Sequence, residues 1–250
     1  MQAKFAQLLP IHADLGKHGF TLRMGQTLEI AAYRALIAPP HLNTYGCFTD
    51  LDQRDDSTLY TKEEPPSLLS GRASAGKLDF LVGTQGGLHA GIELKNVREW
   101  LYPKWTEVKD LLRKCTSLEV LPVLVARRVP YVTFRLLNAC GVIIHQTYNQ
   151  LFPAADATLA DKARHKDLLG YHDIRLRNEP DARMVKFFSE NLPILIPRTW
   201  PTFDRFRDLL AAFANDDLSY SEFAARVRRR EAGTNEDNDW PDEGENEGYE

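Results

Sequence analysis

Residues 77–96, KLDFLVGTQGGLHAGIELKN, constrain the fold more than any other stretch of this chain. Two apolar runs flank Gln85-Gly86-Gly87, and a short glycine-bearing loop between such runs marks a β-hairpin. If Thr84 and Leu88 are the last paired residues, the loop is three residues long and Asp79 falls directly opposite Glu93. Directly opposed side chains share a face, with Cβ atoms roughly 4.5–5.5 Å apart. Lys95, two residues after Glu93, points to that same face. A one-residue slip would scatter all three, so the expectation depends on the loop length.

Two carboxylates at that separation repel, and one takes up a proton unless a cation neutralises them. Lys95 supplies one positive charge. A divalent ion would supply the rest, and hard carboxylate oxygens suit Mg²⁺, with Mn²⁺ as a substitute. A salt bridge on a solvent-facing hairpin accounts for the same residues without any ligand.

The surroundings read as an α/β domain. Leu28, Ala31, Ala32, Ala35 and Leu36 recur at helical spacing, which predicts a helix over 25–37, ended by Pro39-Pro40. A short strand is expected at 43–48 and a long polar loop at 50–76. The hairpin strands are expected at 77–83 and 88–95, then a helix at 99–114. The apolar run 120–126 suits a strand covered on both faces. A helix at 132–139 and a strand at 141–145 follow. This order gives a mixed central sheet flanked by helices.

Beyond 155 the chain turns mostly helical. Phe203, Phe206, Leu209, Leu210 and Phe213 mark one amphipathic helix, and Ser219 with Glu222 forms a capping box that opens another. Three units are expected: a domain over 1–155, a helical extension over 156–230 and a disordered acidic tail over 231–250.

Asp79, a hairpin and then Glu93-Leu94-Lys95, with Glu29 on an upstream helix, resembles the PD-(D/E)xK nuclease superfamily. This superfamily includes many restriction endonucleases and the archaeal Holliday-junction resolvases. The resemblance covers roughly residues 20–150, with Leu78 standing where the name-giving proline would be. It implies a restriction-endonuclease-like core and Mg²⁺-dependent hydrolysis of DNA phosphodiesters that leaves a 5′-phosphate, in restriction, defence or repair. Asp79 and Glu93 would then ligate the metal, with the Leu94 carbonyl and Glu29 completing the shell. Lys95 would hold or help deprotonate the attacking water and stabilise charge developing on the phosphate. DNA is the implied partner, and a homodimer is among the expected states because many relatives dimerise.

Other features carry less. Arg127 and Arg128 end the 120–126 strand and are candidate contacts to DNA phosphates. Residues 71–78, GRASAGKL, match part of a P-loop, but Leu78 cannot supply the hydroxyl a P-loop places on Mg²⁺. The seven histidines show no metal-ligand spacing. The last 20 residues hold nine acidic and no basic side chains, while residues 1–230 hold 31 basic against 26 acidic ones. The body therefore suits a polyanionic partner, and the tail suits a protein partner. Three widely spaced cysteines, no secretory leader and no long apolar run predict a cytoplasmic protein with reduced thiols and no membrane association. Two other readings stay open: a non-cleaving nucleic-acid binder on the same fold, and an interaction protein that recruits partners through the acidic tail.

Overall fold

The computed structural model of the chain describes residues 2–38 and 42–234. The Pro39-Pro40 stop and residues 235–250 of the expected tail lie outside the described residues, whereas its first two residues, Glu231 and Ala232, end a helix. Two helices come first, α1 (Gln2–Leu15) and α2 (His18–Ile37). Helix α1 is not among the expected elements, and α2 begins seven residues before the expected start at Gly25. A Cβ on Gly25 would meet nothing within 4 Å. The glycine is merely tolerated in mid-helix, and buried Phe20 extends the apolar stripe towards the N-terminus.

The strand expected at 43–48 is split into β1 (Leu42–Tyr45) and β2 (Cys47–Phe48). Gly46 sits between them at φ +94°, a left-handed conformation that side-chain-bearing residues rarely adopt. The turn lets β2 leave the main sheet and pair with β3 (Lys62–Glu63), Phe48 opposite Lys62. A second ribbon joins β4 (Leu68–Leu69) to β5 (Arg72–Ala73). The polar segment 50–76 thus carries two small ribbons, too short to show as apolar alternation.

The hairpin strands are β6 (Phe80–Thr84) and β7 (His89–Lys95). They are followed by α3 (Thr106–Leu118), β8 (Leu121–Ala126), α4 (Tyr131–Ala139) and β9 (Ile143–Gln146). Helix α3 starts later than expected because Pro103 disfavours helical backbone just before it; Trp105, in extended conformation, is the N-cap. The main sheet has five strands in the order β1-β6-β7-β8-β9. β1, β6 and β7 run antiparallel, and β7, β8 and β9 run parallel. Every residue of β8 is buried, as a strand covered on both faces requires. The chain is therefore an α/β protein with a mixed central sheet flanked by helices.

After β9 come β10 (Gln150–Phe152), α5 (Ala157–Arg164) and β11 (Ile174–Leu176), and β10 pairs in parallel with β11. The pairing spans the expected boundary at 155. Then follow α6 (Ala182–Lys186), a π-helical turn (Phe187–Asn191), α7 (Leu192–Ala214) and α8 (Tyr220–Ala232). The Ser219 hydroxyl accepts the Glu222 amide at 3.2 Å, so the expected cap is present. Phe203, Phe206, Leu210, Phe213, Phe223 and Val227 join the cluster that holds the sheet's Phe80, Ile92 and Val123. One continuous core therefore unites the sheet with the C-terminal helices. Among the described residues no helix is long and apolar enough to cross a membrane.

The close seat of α7 on the turn before β9 depends on Gly141. Its φ is +82°, and a Cβ there would lie 2.4 Å from the Phe203 backbone nitrogen. Replacement by alanine strains the backbone and drives it into α7 together. Gly141→Ala is expected to lower the unfolding free energy by about 3 kcal/mol or more, measured by urea denaturation. A loss below about 1 kcal/mol would show that α7 is not fixed there.

Candidate functional site

The hairpin keeps the register its loop length dictates. Phe80 pairs with Ile92, Leu81 with Gly91, Val82 with Ala90 and Gly83 with His89. The Thr84 amide closes the turn onto the Leu88 carbonyl at 2.8 Å, and Gly87 provides the positive φ, +79°. One step further out the expectation fails. Asp79 does not continue the ladder opposite Glu93. Its amide donates to the Ile92 carbonyl at 3.1 Å, so Asp79 and Phe80 together face Ile92. This is the two-against-one pattern of a β-bulge, which re-aims a side chain at the end of a ladder.

The bulge turns the Asp79 carboxylate onto the backbone of the partner strand. Asp79 Oδ2 accepts the Leu94 amide at 2.6 Å. Its other oxygen lies 3.7 Å from Lys62 Nζ, and that ammonium donates to Glu29 Oε2 of α2 at 2.5 Å. Glu93, 4 % exposed, has different company. Lys95 Nζ donates to Glu93 Oε1 at 2.9 Å, and Lys114 Nζ of α3 lies 3.1 Å from both Glu93 oxygens. Three carboxylates and three lysines thus form two groups, with Asp79 between them.

The charges do not balance locally at Asp79. Burial first, then the charges on Glu93 and Glu29, push its pKa up to about 7; Lys62 and the Leu94 amide act in the opposite direction. Burial alone would lower Lys95, but the charge and hydrogen bond of Glu93 outweigh it and hold its pKa above the ordinary lysine value. Lys95 is therefore held in its charged form by Glu93. Lys62 behaves alike, since burial opposes its charge while Glu29 and Asp79 favour it more strongly.

A pocket of about 250 Å³ opens onto Glu29, Lys62, Glu64, Lys77 and Asp79, with Leu22, Leu59 and Leu78 among its apolar walls. Glu93 and Lys95 do not line it. The structure thus sets Glu29 and Asp79 on either side of Lys62 and pairs Lys95 and Lys114 with Glu93, where the sequence predicts one shared patch. Neither Lys62 nor Lys114 was legible. Lys62 lies in a segment with no periodicity, and Lys114 looks like any solvated lysine until α3 is packed on β7.

Arg127 is not placed to meet a phosphate, contrary to expectation. It is 6 % exposed and turned inward, with Nη1 2.6 Å from Asp173 and its other nitrogens on the Val97 and Arg98 carbonyls. Arg98 holds the other oxygen of Asp173, so the two arginines clamp the β10–β11 region onto the end of β7. Arg128, next in the chain, is exposed.

Carboxylate oxygens are chemically suited to a hard divalent cation, but their arrangement here is not. Among the described residues no three of His, Cys, Asp or Glu are gathered closely enough to hold a metal ion. The physical reason is the lysines: Lys62 stands between Glu29 and Asp79, and Lys95 and Lys114 saturate Glu93. Comparison with known proteins adds nothing, since no family model, curated protein or solved structure matches the chain.

Two outcomes follow. Because folding raises the Asp79 pKa above its ordinary 3.8, the folded state binds more protons than the unfolded one between about pH 4 and 7, and stability falls across that window. Asp79→Asn removes this effect. The variant is expected to be more stable than the parent at pH 8 by about 2 kcal/mol, with the gain vanishing near pH 4; urea unfolding at several pH values measures it. Arg127→Ala leaves half-buried Asp173 and the Val97 and Arg98 carbonyls each a partner short and is expected to cost about 3 kcal/mol of stability, read by thermal or urea unfolding. A fall in DNA affinity at unchanged stability would instead restore Arg127 as a phosphate contact.

Proposed function

We propose that this chain is a hydrolase of DNA phosphodiester bonds, with Asp79, Glu93 and Lys95 at its centre. The observation that carries the reading is Asp79, a carboxylate aimed by a bulge into a pocket and kept near pKa 7 at the expense of stability. Half-buried, mutually repelling carboxylates beside a cation suit acid–base chemistry at neutral pH. The mixed five-stranded sheet, with Asp79 and Glu93-Leu94-Lys95 on its antiparallel hairpin, is compatible with the nuclease superfamily that the motif resembles.

In this reading Asp79, half ionised near neutrality, accepts a proton from water as it attacks the phosphorus; the P–O3′ bond breaks to leave a 5′-phosphate, and the departing 3′-oxygen takes up a proton from solvent. Lys95 faces the negative charge that develops on the phosphate oxygens; a preorganised cation in a partly desolvated site favours that state over the ground state. Glu93 orients Lys95 through the 2.9 Å hydrogen bond. Arg128 is the remaining candidate for a phosphate further along the strand. The resemblance assigns Glu29, Asp79, Glu93 and the Leu94 carbonyl to a divalent cation, which would supply Lewis acidity and a more acidic water; with Lys62, Lys95 and Lys114 on those carboxylates, the residues as placed do not form that shell.

A second reading, a nucleic-acid binder on the same fold without cleavage, is favoured by one observation: Lys95 and Lys114 already satisfy Glu93. Linear, circular, single-stranded and branched DNA incubated with the protein in Mg²⁺, Mn²⁺ or EDTA separates the two. Hydrolysis is expected in the presence of a divalent ion, reduced at least about 100-fold in both Asp79→Ala and Lys95→Ala. Binding with no cleavage under any metal would establish the second reading.

A further inference from the structure

We propose that residues 235–250 of this chain seat in the groove between α4 and α8, with Trp240 as their anchor. The groove measures about 490 Å³. Residues at helical spacing line it from both sides, with Tyr131, Val132 and Arg135 on α4 facing Tyr220, Ala224 and Arg228 on α8. Its apolar rim is exposed: Tyr131 to 76 % and Val132 to 47 %. Arg135 and Arg228 are exposed as well. Among the described residues neither forms a salt bridge, whereas Arg226 and Arg230 of α8 hold Glu222 and Asp208. The groove is therefore an apolar slot flanked by two uncommitted cations.

The segment 235–250, NEDNDWPDEGENEGYE, has the complementary chemistry. It holds eight acidic side chains and no basic one, and its single tryptophan lies between Asp237-Asn238-Asp239 and Pro241-Asp242-Glu243. An indole flanked by carboxylates matches an apolar slot flanked by arginines. The ring packs on Tyr131, Tyr220 and Ala224, and the carboxylates meet the two guanidinium groups. The chain also leaves the fold at the right place. Helix α8 ends at Ala232, Gly233 takes φ +68°, and the Thr234 amide donates to the Arg229 carbonyl at 3.0 Å. The six residues from Thr234 to Trp240 span roughly 20 Å when extended. The middle of the groove, at Ala224, lies about 10 Å back along α8 from Glu231. A tether this short holds the segment at an effective concentration of about millimolar, so modest affinity suffices. A free nucleic acid would meet two arginines here together with the Glu231 carboxylate, a weak basis for recognising a phosphate backbone.

Fluorine NMR of the full chain labelled with 5-fluorotryptophan tests this, with the Trp240 signal assigned through Trp240→Phe. In the parent that signal is expected to be displaced from its position in urea. The displacement is expected to be lost in Arg135→Glu/Arg228→Glu, and equally in Asp237→Asn/Asp239→Asn/Asp242→Asn/Glu243→Gln, which alters the segment alone. Unchanged signals from Trp100, Trp105 and Trp200 show that the fold is intact; if the arginine variant unfolds, the segment variant decides. A parent signal at the urea position, or a displacement retained in a folded variant of either kind, overturns the proposal. A displacement that disappears on dilution, with dimers seen by sedimentation, places the segment in the groove of a second copy and also overturns it. So does a Trp240 signal indifferent to the arginines when Arg135→Glu/Arg228→Glu weakens binding of a fluorescent oligonucleotide, because the groove then serves nucleic acid.

Discussion

A single hydrogen bond, from the Leu94 amide to Asp79 Oδ2, ties the site to the fold. In an unbroken ladder the outer backbone groups of β7 would meet backbone on the neighbouring strand. The bulge diverts that pairing, and a carboxylate takes the place of a carbonyl. Asp79 is thereby fixed to the strand that carries Glu93 and Lys95, while its free oxygen reaches Lys62 and, through it, α2. Without the bulge the carboxylate would have only a side chain's freedom to find its place.

The same geometry sets stability against chemistry. A core made only for stability would not bring Glu29, Asp79 and Glu93 into one electrostatic neighbourhood, because each raises the cost of ionising the others. The three lysines limit that cost but leave Asp79 under-compensated. Elsewhere charges are paired more completely: Asp173 is held by two arginines, Asp156 by Arg23 in a double hydrogen bond. The under-compensated charge at this pocket-lining residue is what the proposed function draws on.

The hairpin was legible because a glycine loop and two apolar runs leave little choice of register, and four pairs agree with it. Strand β8 was legible for a similar reason, since an uninterrupted apolar run needs cover on both faces. Asp79 exposes the limit of such counting. Its sequence separation from Glu93 is right for direct opposition, yet the strand bulges at that residue, and nothing in the spacing announces a bulge. Lys62 and Lys114 were hidden because their roles arise from tertiary packing of a ribbon and a helix that local patterns do not orient. Arg127 was misjudged because a charged residue at a strand end is usually solvated, whereas here Asp173 and two carbonyls meet it inside.

The central claim is that Asp79 stays poised near neutrality in the folded protein. Carbon-detected NMR of the side-chain carboxyl carbons, assigned through Asp79→Asn and followed from pH 3 to pH 9, measures this directly. A titration midpoint for Asp79 close to 7, well separated from the exposed aspartates, is the predicted result. A midpoint near 4, in the ordinary carboxylate range, would mean that the lysines fully neutralise the group, and the site would then be a structural ion-pair network.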